Sequence, residues 1–145
     1  MPFQFKMQKV LDYREQLEEE AKVDLALKQR LLEDARALFE RLKDELRQSE
    51  DRLFQSALAP QGERWLMEQY VKGLKGDVAN AALQARMQEQ LVDEARKLLA
   101  ARAIERKLLE KLKERQNQQY LREEQLKEQR VNDETATLRY KAPAL

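Results

Sequence analysis

The chain has 145 residues, of which 38% are charged and 6% aromatic, and its 28 basic and 27 acidic side chains leave a net charge of +1. Ala, Glu, Lys, Leu and Arg supply 88 of the residues, above the roughly one-half share that marks a long helix or coiled coil. Gly and Pro together number six, and there is no His and no Cys. A turn-rich sheet protein, zinc fingers, histidine triads, thiol chemistry and disulfides are thereby excluded.

Charge is unevenly spread. Residues 1–95 carry 15 basic and 19 acidic side chains, whereas residues 96–145 carry 13 and 8. The basic C-terminal third could meet an acidic protein surface, an anionic leaflet or nucleic acid, or be a solvated face of mixed sign. The opening MPFQFKMQKV lacks a signal-peptide core, and no apolar run reaches the ~18 residues of a membrane span. The expectation is a cytoplasmic protein that reaches membranes only through partners, without insertion of its own.

Residues 4–58 contain neither Gly nor Pro. Leu11, Glu18, Leu25, Leu32, Phe39, Leu46 and Leu53 recur every seven residues. Arg14, Ala21, Lys28, Ala35, Leu42 and Ser49 form a smaller, wetter companion column. Such a heptad predicts a helix paired along a coiled-coil seam. The break comes at Ala59-Pro60-Gln61-Gly62, where Pro60 removes a backbone donor and Gly62 would permit a left-handed angle. Beyond it, Val71, Val78, Ala85, Val92 and Leu99 form one column. Leu74, Ala81, Gln88, Ala95, Arg102 and Leu109 form the other. Gly73 and Gly76 should soften or bend the start of this helix, at about 1 kcal/mol each relative to Ala.

The predicted fold is all-α: a long antiparallel two-helix coiled-coil hairpin with a C-terminal helical overhang, in one coiled-coil domain over 1–145. Helix 1 runs over about 4–58, the turn over 59–63 and helix 2 over about 64–137. A frayed tail occupies 138–145, ended by Pro143. Folding back at residue 61 sets residue i opposite 122 − i and leaves residues beyond about 118 unpaired. The competing layout is one continuous helix in a parallel dimer, which the Pro60 break opposes.

No enzyme motif is present. Gly62, Gly73 and Gly76 fit neither GxGxxG nor GxxxxGK[ST]. Glu18-Glu19-Glu20 reads as a solvated face, and a two-helix rod offers no concave pocket to shift carboxylate pKa values. The sequence predicts a non-enzyme without catalytic residues, metal or cofactor, acting through its surfaces. Three surfaces stand out. Phe54, Trp65, Leu66, Tyr70, Val71 and Leu74 flank the turn, where Trp65 either contacts a partner or packs on Phe54 or Leu58. Phe3, Phe5, Met7 and Val10 place bulky apolar groups at the open end, to dock a partner or to cap the seam. The third is the basic stretch Arg102–Arg115.

The segment FQFKMQKVLDYREQLEEEAKVDLA (3–26) resembles the N-terminus of the FliJ family of flagellar type III export proteins. The matching positions are Phe3, Phe5, Val10, Leu11, Arg14, Glu18 and Ala21. ERKLLEKLKERQNQQYLREEQLKEQRVNDETATLRY (105–140) is similar to that family's C-terminal half, with Tyr120 and the ending Asp133, Glu134, Ala136, Arg139. The resemblance implies an antiparallel coiled coil like the γ subunit of rotary ATPases. It implies work in the flagellar export apparatus with the export ATPase FliI, its regulator FliH, the gate protein FlhA and export chaperones. By carry-over, Phe3, Phe5, Lys6, Lys9, Arg14, Arg106, Lys107, Lys111 and Lys113 are candidates for ATPase contact. Phe54, Trp65, Tyr70, Val71 and Leu74 are candidates for gate contact. The alternatives are a generic scaffold or chaperone, an injectisome stalk protein, and a helical arm that binds nucleic acid through Tyr120, Tyr140 and the basic C-terminal third.

Overall fold

A computed structural model describes residues 2–141, and side chains through Tyr140. It contains two helices, α1 (Gln8–Gln55) and α2 (Gln61–Lys141). They pack against each other as an all-α helical hairpin, with no strand among the described residues.

The heptad columns explain the packing. Leu11, Glu18 and Leu32 of the first column are buried, and Leu25, Phe39, Leu46 and Leu53 are half-buried. On α2, Val71, Leu74, Ala81, Val92 and Ala95 are buried, and Val78, Ala85, Gln88 and Leu99 are half-buried. The Ala residues in these columns leave room for the two backbones to approach. Each fully buried Leu or Val contributes about 1.5–3 kcal/mol relative to exposure. Apolar residues one or two positions off the columns stay wet, among them Val23, Leu27, Leu31, Leu38, Leu83, Leu91 and Leu98. A second helix covers only one stripe of the first.

The described chain comprises two compact units. Unit 2 spans Glu19–Ala101. Its inter-helix pairs are Arg36–Glu89 (3.8 Å), Glu50–Lys75 (3.9 Å) and Glu45–Tyr70 (2.5 Å). Unit 1 joins residues up to Glu18 with those from Arg102 onward. It is pinned by Arg14–Glu105 (2.7 Å), by Glu18–Arg106, and by the Phe3 and Tyr120 rings with centroids 5.8 Å apart. In both units the pairing is antiparallel and within two helical turns of the i to 122 − i register.

The helix limits differ from the periodicity. α1 begins at Gln8 rather than residue 4, because Phe5 turns inward and its carbonyl accepts the Gln8 N–H (3.1 Å). It stops at Gln55. The Ser56 hydroxyl donates to the Leu53 carbonyl (2.8 Å), and the Ala59 N–H donates to the Ser56 carbonyl (2.9 Å). α2 starts directly after Pro60, whose carbonyl accepts the Arg64 N–H (3.1 Å) as the first bond of the new helix. Gly62 lies in that first turn, and no described glycine has a positive φ. The Ser56 and Ala59 bonds and Pro60 together make the break, and the expected left-handed glycine is absent. α2 continues unbroken through Gly73 and Gly76 and on to Lys141, past the expected end at 137. Every side chain from 125 to 140 is exposed. The rest of the expected tail, including Pro143, lies outside the described residues.

A Cβ built at Gly73 or Gly76 meets nothing within 4 Å. Neither glycine is needed for packing, so each carries only its entropic cost. Gly73→Ala and Gly76→Ala are expected to stabilise the protein by about 1 kcal/mol each. Thermal unfolding followed by circular dichroism should show Tm rising by about 2–4 °C per substitution; a lower Tm would contradict this reading.

Candidate functional site

Among the described residues, no group of three or more His, Cys, Asp or Glu side chains could hold a metal ion. The candidate site is two separate surfaces, one in each unit.

Unit 1 carries the open-end residues. Phe5 is buried, and Phe3 is half-buried against Tyr120. The two rings therefore close the end of the seam instead of standing free, because Tyr120 lies far enough along α2 to meet Phe3. Leu11, Phe3 and Lys113 line a shallow cleft of about 350 Å³ with Gln8, Glu15, Glu110, Glu114 and Asn117. Arg14 is half-buried and its guanidinium donates to Glu105, which also takes Arg102 at 3.3 Å. Arg106 donates to Glu18 through two nitrogens, the longer contact being 3.4 Å, and to Glu110 at 2.8 Å. These bonds raise Arg106 above the ordinary guanidinium range, Glu18 first and Glu110 second. The basic stretch is thus not a uniform positive face. Arg102 and Arg106 follow the heptad into the seam, while Lys107 and Lys111 remain exposed. Lys6 and Lys9 are exposed as well.

Unit 2 carries the turn residues. Phe54 is 85% exposed, Trp65 58% and Leu58 fully so. Leu58 thus gives Trp65 no packing partner, because the short turn held by Ser56 and Ala59 projects it outward. Val71 and Leu74 are buried in the seam, as their heptad positions require, and present no side chain to a partner. Leu66, Met67, Tyr70, Arg52 and Ser49 line an open groove of about 260 Å³. Leu58 is the exposed apolar group that the candidate set lacks. Its signal was available: an isolated leucine inside a turn sequence has no column to join.

The Tyr70 hydroxyl donates to the Glu45 carboxylate at 2.5 Å. That hydrogen bond is the largest of the causes that raise Tyr70 above its ordinary value of 10.0, ahead of desolvation and the nearby negative charge.

A family model described as the flagellar FliJ protein matches residues 3–144. The chain belongs to the FliJ family. It is a component of the flagellar export apparatus, and the family is a soluble, non-catalytic part of that machinery. No helix among the described residues is long and apolar enough to cross a membrane. No curated protein and no solved structure matches the chain.

Because Tyr70 is raised when folded, the stability from its bond to Glu45 is full below the ordinary tyrosine value and is lost as pH climbs through the raised one. Ultraviolet titration should show the Tyr70 phenolate forming late, above the ordinary value of 10.0. Tyr70→Phe should remove that late component, and a titration unchanged by the substitution would contradict the assignment.

Proposed function

We propose that this FliJ-family chain is the central, stalk-like protein of the export machinery. It binds the ring of the export ATPase FliI, with FliH, through unit 1. It binds the export gate FlhA through the turn end of unit 2. It promotes protein export for flagellum assembly without chemistry of its own, and engages export chaperones. It works at the cytoplasmic face of the inner membrane, held there by its partners. The observation that carries this reading is the family match over residues 3–144.

Two features of the surfaces support it. Lys6, Lys9, Lys107 and Lys111 are exposed in unit 1 and are available to acidic groups of a ring. Long-range attraction of this kind sets encounter rates and orientation more than affinity. Phe54 and Trp65 are exposed in unit 2, and buried aromatics at an interface dominate binding energy. A single stalk in a six-fold ring contacts its subunits unequally. It can therefore act by differential affinity for one subunit state.

The exposed members of the candidate set make the cleaner test, because substituting Phe5, Val71 or Leu74 would damage the seam. Lys107→Glu/Lys111→Glu should weaken capture of FliI by about tenfold and remove stimulation of ATP hydrolysis, while FlhA capture is kept. Phe54→Ala/Trp65→Ala should do the reverse, losing about tenfold or more toward the FlhA cytoplasmic domain. Both variants should keep the wild-type melting curve. Reversed effects would mean the two surfaces are assigned the wrong way round, and no effect of either on any partner would sink the proposal.

A further inference from the structure

The seam changes character between the two units. In unit 2, nineteen heptad-column positions contain one charged residue, Lys28, which pairs with Asp24 at 2.9 Å. In unit 1, the five column positions Leu11, Arg14, Glu18, Arg102 and Leu109, together with Arg106 one heptad beyond Leu99, contain four: Arg14 and Glu18 on α1, Arg102 and Arg106 on α2. Glu18 is 6% exposed, and its column is otherwise apolar. Arg106 continues the Val71–Leu99 column, so the one acid of the first column meets the one base of the other. Glu105 and Glu110 complete the layer by accepting from Arg14, Arg102 and Arg106.

A buried ion pair gains little net stability, since desolvation offsets the attraction, whereas a mispaired register would leave a charge buried alone. Its best-attested use is to fix register. Apolar closure of this unit comes chiefly from Phe5, Leu11 and the Phe3–Tyr120 contact. The charged layer therefore specifies where the arm docks while leaving it weakly held.

We propose that the Glu18–Arg106 layer makes residues 2–18 a releasable clasp. The clasp closes in one register and opens locally while the apolar seam of unit 2 stays shut. Local opening of this kind belongs to segments with few buried apolar contacts. The clasp is independent of the assignment of partners above, and it stands or falls without FliI or FlhA.

Amide hydrogen exchange on the full chain tests it. Amides of residues 11–18 should exchange about tenfold or more faster than those of residues 25–50. End fraying would also speed exchange, so the deciding variant is Glu18→Leu/Arg106→Leu. It turns the layer apolar and should slow exchange of the arm by about tenfold while raising Tm. Arg106→Leu alone, which removes the group that answers Glu18 across the seam, should speed it. Arm amides as protected as those of unit 2 in the wild type would overturn the proposal. So would a double-leucine variant whose arm exchanges no more slowly than wild type.

Discussion

Everything in this molecule follows from the narrowness of a two-helix seam. A helix paired with one neighbour buries two heptad columns and nothing more. Leu11, Leu32, Val71, Leu74, Val92 and Ala95 lie at those columns and are buried. The remaining leucines and aromatics have no second layer to enter. Exposed apolar groups are therefore the rule here, and only those that cluster where no helix position demands them, such as Phe54, Leu58 and Trp65, point to recognition.

The same narrowness makes each polar residue in the seam consequential. Ser49 is buried at a column position. The Gln88 side-chain oxygen is buried without a hydrogen-bond partner among the described residues. An unsatisfied buried acceptor costs about 1–3 kcal/mol, so Gln88 is a weak point in an otherwise apolar stretch. Glu18 differs, because Arg106 answers it across the seam. One polar position loosens the pair and another orders it.

Much of this was legible from residue spacing. The heptad columns named the seam, and Pro60 marked the reversal, because both are local properties of the chain. The register followed from the turn alone to within two helical turns. What spacing did not give was the competition between rules. Val71 and Leu74 were placed on a contact surface for their nearness to Trp65, although their own columns bury them. Arg14 and Arg106 were contact candidates by carry-over from the family resemblance, although the heptad turns both inward. Gly62 was read as a left-handed stop, but Pro60 and the Ser56 hydroxyl had already ended α1. For Val71, Leu74, Arg14 and Arg106 the longer-range periodicity won over the local composition. Phe5 was different: its burial depends on where α2 passes the chain end, which no local pattern encodes. The flagellar export family was legible at the two ends of the chain, and the exposed lysines and aromatics keep their place as contact candidates.

The central claim is that one chain folds back on itself and supplies both sides of its own seam. Arg36 and Glu89 lie across that seam, 3.8 Å apart at their charged groups, and the chain contains no native cysteine to interfere. An Arg36→Cys/Glu89→Cys variant treated with a short bifunctional thiol reagent at high dilution puts the claim to the test. The account predicts a rapid internal crosslink in a species of single-chain mass, with a yield independent of protein concentration. Crosslinking that yields only double-mass species, or that vanishes on dilution, would show two chains zipped together and would contradict it.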